Sequence, residues 1–205
     1  MKIRRILSIA AGLALGVHLW AGGASYDFKD PSKVSNLTFD MTAPVESISG
    51  TADGISGAIS FDPANPSKAY GSIVVTTESI MVPKSKMRDH IMAKGWMDAK
   101  KHPDMTFELM GISGVTEAAE GAFKGTAKGE MNIKGVTRPI EAEVTLKHLA
   151  GKLGAKLPGK EGDLLVVTGE FVVQRDAFNI NPGQKLDKVA NDIRIGLNLI
   201  GYAEK

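Results

Sequence analysis

The chain of 205 residues contains no cysteine. Disulfides, thiol nucleophiles and zinc–thiolate sites are therefore excluded, and an oxidising compartment has nothing to cross-link. Aromatic residues are scarce at 6%, and they form none of the girdles that mark an outer-membrane barrel. After Ala24 no stretch is long and apolar enough to span a bilayer as a helix, so no stable membrane span is expected. Charge of one sign is missing too. The formal net is +2, but Lys2, Arg4 and Arg5 account for it: residues 25–205 hold 22 basic and 23 acidic side chains, a net of −1. With no basic block to neutralise a run of phosphates, nucleic acid is not an expected partner. Fixed-period repeats and low-complexity linkers are absent, as are the G-x-S-x-G motif of nucleophilic enzymes and the complete G-x-x-x-x-G-K-[S/T] phosphate loop, since Glu161 follows Gly159-Lys160.

What is present begins with a leader. Three basic residues precede an apolar run from Ile6 to Ala21, followed by the small residues Ala21 to Ala24. A basic start, a short apolar segment and a small-residue cleavage site describe a secretory signal peptide. The run falls short of the roughly 20 residues a spanning helix needs and contains His18. Residues 1–24 are therefore expected to be a signal peptide, and 25–205 one domain of a periplasmic or secreted protein.

Alternation is the strongest structural signal in that domain. Ile193, Ile195, Leu197 and Leu199 share one face of a run whose other face carries Asp192, Arg194 and Asn198. The same period of two recurs at Leu37, Phe39 and Met41, at Met105, Phe107 and Leu109, at Ile140 to Leu146, and at Leu165, Val167, Phe171 and Val173. Asp53-Gly54, the Pro63 and Pro66 segment, and Gly135 supply turns between them, which predicts about eight antiparallel strands linked mostly as hairpins. A flat sheet of this size would leave its apolar face uncovered. Closing it into a barrel buries that face and removes the edges. The predicted class is all-β, an antiparallel barrel with one short helical insertion.

The insertion is the stretch "MRDHIMAKGWMDAKKHPDMTF", residues 87–107. Six of the nine methionines lie between Met81 and Met110, and His90 and His102 fall there too. Pro83 and Gly95 predict a helix over Lys84 to Lys94, with Met87 and Ile91 stacked at i, i+4 and a second turn from Trp96 to Lys101. The two histidines, twelve residues apart, match no helical zinc pattern, even with Asp89, Asp98 or Asp104 nearby. Methionine is unbranched and polarizable, so the stretch reads either as core filler or as filler that also lines an adaptable apolar cavity.

The segments "SGAISFDPANP", "HIMAKGWMDAKKHPDMTFEL", "GEMNIKGVTRPIEAEV", "RDAFNI" and "VANDIRIGLNLIGY" together resemble the YceI-like proteins, in order and over nearly all of 25–205. The resemblance implies a lipocalin-like barrel of an exported bacterial protein that carries a polyisoprenoid or other long-chain lipid. It implies no catalytic residue, no metal and no cofactor. Val34-Ser35 stands where the family often has His-Ser, and Trp96-Met97 where it has two phenylalanines, which implies a differently shaped cavity. Strand and helix phase assign Phe39, Met41, Phe107, Leu109, Phe171, Val173, Ile195 and Leu197 to the bore, with Met87, Ile91 and Trp96 at its mouth. Phe178 and "NINPGQKLDKVAND" either border one opening or form an ordinary solvated turn. Two other readings stay open: a solid-core structural or partner-binding barrel, and a lipid-modifying enzyme using His90 or His102. The oligomeric state, including a possible homodimer, is not fixed by the sequence.

Overall fold

The computed structural model describes residues 23–205, so the expected leader lies outside the described residues apart from Gly23 and Ala24. The strands are β1 (Ala24–Asp27), β2 (Asn36–Thr42), β3 (Ser47–Ala52), β4 (Ile55–Phe61), β5 (Tyr70–Thr76), β6 (Ile80–Met81), β7 (Asp104–Ala119), β8 (Ala122–Ile133), β9 (Val136–Leu149), β10 (Gly162–Gln174) and β11 (Asp192–Glu204). One α-helix, α1 (Ser85–Met92), lies between β6 and β7.

All pairings are antiparallel, and β1 closes the ring by pairing with both β4 and β11. Eleven strands fill only eight positions. Along β11, Tyr202 meets Asp27 of β1, and Asn198 to Arg194 meet Asn36 to Asp40 of β2, so β1 and β2 are two halves of one course. By the same register β3 continues into β4, and β5 into β6. This is the expected eight-stranded barrel, with three of its courses broken.

The breaks correct the sequence expectation at one place. Asp53-Gly54 is not a hairpin; it interrupts the β3–β4 course, where the Gly54 carbonyl accepts the Thr76 N–H at 2.9 Å. A side chain at Gly54 would stand 2.8 Å from the Ser79 Cβ, so the residue is there for close approach. Lys134-Gly135, by contrast, is the expected tight hairpin: both have positive φ, 53° and 75°, as a type I′ turn requires.

The helix is also shorter than predicted. It ends at Met92 because Ala93 turns to extended backbone (φ −69°, ψ 160°), and residues 93–101 form turns instead of a second helix. The Met97 N–H then reaches back to the Ile91 carbonyl at 3.0 Å, which drops Trp96 and Met97 toward the barrel. Tertiary burial of two large apolar side chains has overridden local helix propensity.

The two ends of the barrel differ. At the far end the rings of Tyr26, Phe61, Phe123 and His148 pack edge-on or tilted, with centroids 6.0 to 6.4 Å apart, and plug the bore. At the other end α1 and residues 93–103, the β8–β9 turn and the β10–β11 loop lie together as a lid.

Candidate functional site

Between plug and lid lies a cavity of about 230 Å³ lined by thirty-four residues. All are apolar except Thr38 and Thr106, which sit between inward-facing neighbours on their strands. Five alternating faces build the wall: Leu37, Phe39 and Met41; Met105, Phe107 and Leu109; Ile140 to Leu146; Leu165 to Val173; Ile193 to Leu199. The bore stays hollow although phenylalanines enter it, because rings lie over glycines of the adjoining strand. A Cβ at Gly129 would stand 2.7 Å from the Phe107 ring, and Phe39 covers Gly50 in the same way. A ring against a glycine occupies the wall instead of the lumen.

Ten of the eleven residues assigned from phase line this cavity: Phe39, Met41, Ile91, Trp96, Phe107, Leu109, Phe171, Val173, Ile195 and Leu197. Met87 does not. It is partly buried and packs against the core one turn before Ile91, on the same face of α1 but short of the cavity. Of the clustered methionines, Met97 and Met105 reach the cavity, joined by Met41 and Met131 from elsewhere in the chain. Met81 and Met110 face solvent, Met110 because it bulges out of β7 at the register shift between Leu109 and Gly111. The methionine-rich stretch is therefore partly cavity lining, partly packing and partly surface.

Sequence reasoning missed what holds the lid. Arg175, fully buried at the end of β10, donates to the carbonyls of Ala190 (3.2 Å), Ile180 (3.0 Å), Gln184 (3.1 Å), Val189 (3.4 Å) and Asn181. Its guanidinium carbon stands 5.3 Å from the centre of the Trp96 ring. Burial lowers its pKa, which the Asp176 charge partly restores, and the group stays cationic. It forms no salt bridge among the described residues; five backbone carbonyls, the Trp96 ring and the more distant Asp176 charge compensate it. One side chain thus folds the whole β10–β11 loop and seats the tryptophan that lines the cavity. The loop is no ordinary solvated turn: Phe178 is buried and Ile180 reaches the cavity.

Lys134 ties the third element in. Its Nζ donates to the Asn179 carbonyl at 2.7 Å and the Gly95 carbonyl at 3.3 Å, and Gly95 also accepts the Asn181 N–H at 3.1 Å. Burial lowers the Lys134 pKa against the opposing charge of Asp98. The sequence marks neither residue: an arginine ending a strand and a lysine in a hairpin look like surface charge. At β6, Arg88 donates to the Ile80 (3.0 Å) and Glu78 (2.6 Å) carbonyls and covers the edge that the break in β5–β6 leaves open.

Neither lid histidine lines the cavity. His90 is exposed on α1, and the His102 ring packs against Gly135. Among the described residues no group of three metal-capable side chains is placed to hold an ion. No described helix is long and apolar enough to cross a membrane.

The YceI-like domain profile matches residues 28–200. This chain belongs to the YceI-like family. A UPF0312 protein of Pseudomonas fluorescens is 28% identical over 113 residues, which is 55% of this chain and 54% of that relative's length. Among solved structures, BcnA of Burkholderia cenocepacia superposes with a TM-score of 0.62 at 21% identity, covering 81% of this chain and 95% of that one. A polyisoprenoid binding domain from Saccharophagus degradans, implicated in plant cell wall breakdown, gives 0.63 at 11% identity, covering 88% and 99%. At such identities these two likenesses show the fold.

Proposed function

We propose that this YceI-like barrel is an exported, non-catalytic carrier that encloses the chain of an isoprenoid or similar lipid. The carrying observation is the cavity: thirty-two of its thirty-four lining residues are apolar, and neither lid histidine is among them. Such a lining offers burial and nothing that could activate a substrate. The polyisoprenoid named for the Saccharophagus degradans domain of the same fold supports this ligand class, and the leader-like residues 1–24 support export to the periplasm.

At about 230 Å³ the cavity lies under the roughly 300–1,000 Å³ usual for small-molecule sites. A long chain therefore enters by displacing flexible lining such as Met97 and Met105, or leaves its far end beyond the lid. With no charged group in the bore, the head group belongs at the lid end.

Val173→Trp tests the reading. Val173 is buried and lines the cavity, so the added ring fills the lumen. A carrier loses uptake of an added isoprenoid alcohol while keeping its fold by circular dichroism. Unchanged uptake refutes enclosure in this cavity. A barrel that unfolds without any wild-type uptake points to a solid core.

A further inference from the structure

We propose that the lid end of the barrel docks on an anionic phospholipid surface and presents the cavity to the bilayer that supplies or receives its occupant. The inference rests on the carrier reading and adds a partner to it.

Charge is the first observation. From Val82 to Pro103 the lid carries Lys84, Lys86, Arg88, Lys94, Lys100 and Lys101 against only Asp89 and Asp98, a net of +4. Residues 25–205 together sum to −1, so the rest of the barrel is net negative and the positive charge is concentrated at one end. Arg88 turns inward to β6, while the five lysines are exposed.

Pairing is the second. Lys128, Lys160 and Lys205, on the wall and at the far end, have carboxylate partners at 3.0, 2.6 and 3.2 Å. Among the described residues none of the five lid lysines forms an ion pair. Lys124, Lys147, Lys152 and Lys156 of the wall and far end are unpaired as well, so the lid is set apart by its density of unpaired lysine against two aspartates and not by the lack of partners alone.

The third is apolar exposure at the same end of the barrel. Val45 in the β2–β3 turn is 67% exposed and Leu186 in the β10–β11 loop 51%. The two loops are joined by the Val45 N–H to the Asp187 carbonyl at 3.1 Å. Lysines and protruding aliphatic side chains at one end of a molecule are what an anionic interface binds: cations meet phosphate while the aliphatic tips enter the acyl boundary. The face is also the one through which Trp96 and Ile180 reach the cavity.

The test is co-sedimentation of protein purified from its host with vesicles of phosphatidylcholine, alone or mixed three to one with phosphatidylglycerol. Each lysine near such a surface contributes about fivefold in affinity. Binding is expected to favour the anionic vesicles, to weaken as salt rises, and to fall on the order of a hundredfold when Lys84, Lys86 and Lys94 are all changed to Gln. Lys152→Gln with Lys156→Gln, at the far end, is expected to leave it unchanged. All variants share one N-terminus, so their differences report the lid. Equal binding to both vesicles, or a lid triple variant that binds like wild type, overturns the proposal. Bound lipid is measured on the same samples by native mass spectrometry. A lipid adduct without vesicle preference overturns docking alone and directs the search to a protein acceptor. Vesicle preference in a protein that never takes up lipid overturns the carrier reading and leaves docking standing.

Discussion

Two charged side chains, Arg175 fully buried and Asp30 half-buried, secure the barrel at opposite places. Arg175 spends its donors on five backbone carbonyls, so removing it orphans several buried acceptors at once. Arg175→Met is expected to cost at least about 3 kcal/mol in urea unfolding and to quench-shift the Trp96 emission. Arg175→Lys recovers only part of this, because three donors on a point charge cannot reproduce the fork. Asp30 sits in the break between β1 and β2. Its carboxylate accepts the N–H groups of Ser32, Val34 and Ser35 and the Tyr202 hydroxyl. Burial pushes its pKa up, but those hydrogen bonds outweigh burial and hold it down to about 2 from 3.8. The same contact, after burial, helps raise Tyr202 to about 12. A depressed carboxylate contributes stability above its unfolded pKa and loses it as pH falls through the folded value. The melting temperature is therefore expected to drop between pH 4 and pH 2. In Asp30→Asn the drop is smaller and stability at pH 7 is lower by about 1–2 kcal/mol. Equal acid sensitivity in both proteins would remove Asp30 from the account.

At the scale of elements, the tight β8–β9 turn is what the lid rests on. Gly135 has φ 75°, and a Cβ there would stand 2.9 Å from the His102 ring. Gly135→Ala is expected to cost about 1–2 kcal/mol through both strain and displacement of the His102 loop. Hydrogen exchange should show the loss first at the amides of Met97 and Asn181, which hold the lid together. Such elements also show which parts of the structure could be read from sequence. The five alternating runs gave themselves away because a strand with one buried face must repeat every two residues, and that phase placed Phe107, Val173 and Ile195 toward the lumen. The Lys134-Gly135 hairpin was equally plain. Asp53-Gly54 misled because the same dipeptide serves a hairpin or a break, and only the partner strands decide between them. The extent of α1 was misjudged because Trp96 and Met97 obey the cavity and not the helix. Met87 stays outside the cavity although it shares a helical face with Ile91, because helical phase fixes a face and not which turn lies over the opening. Arg175, Lys134 and Asp30 were not legible at all, since a side chain that bonds distant backbone leaves no local pattern.

For the whole molecule, the central fact is a barrel plugged by aromatic rings at one end, lidded at the other and hollow between. On the proposed carrier reading, burial of apolar surface drives both folding and ligand uptake, so the two share residues. Each cavity residue is then expected to affect ligand and stability together, whereas the plug residues affect stability alone. Phe61→Leu, at a fully buried plug position, should lower stability by about 1–3 kcal/mol while leaving lipid uptake intact. The most direct measurement is native mass spectrometry on protein purified from its host, followed by solvent extraction. A one-to-one adduct that extracts as an isoprenoid or other long-chain lipid is the expected result. A bare protein mass, together with failure to take up added isoprenoids of any length, would contradict the account and leave a hollow barrel with no lipid to carry.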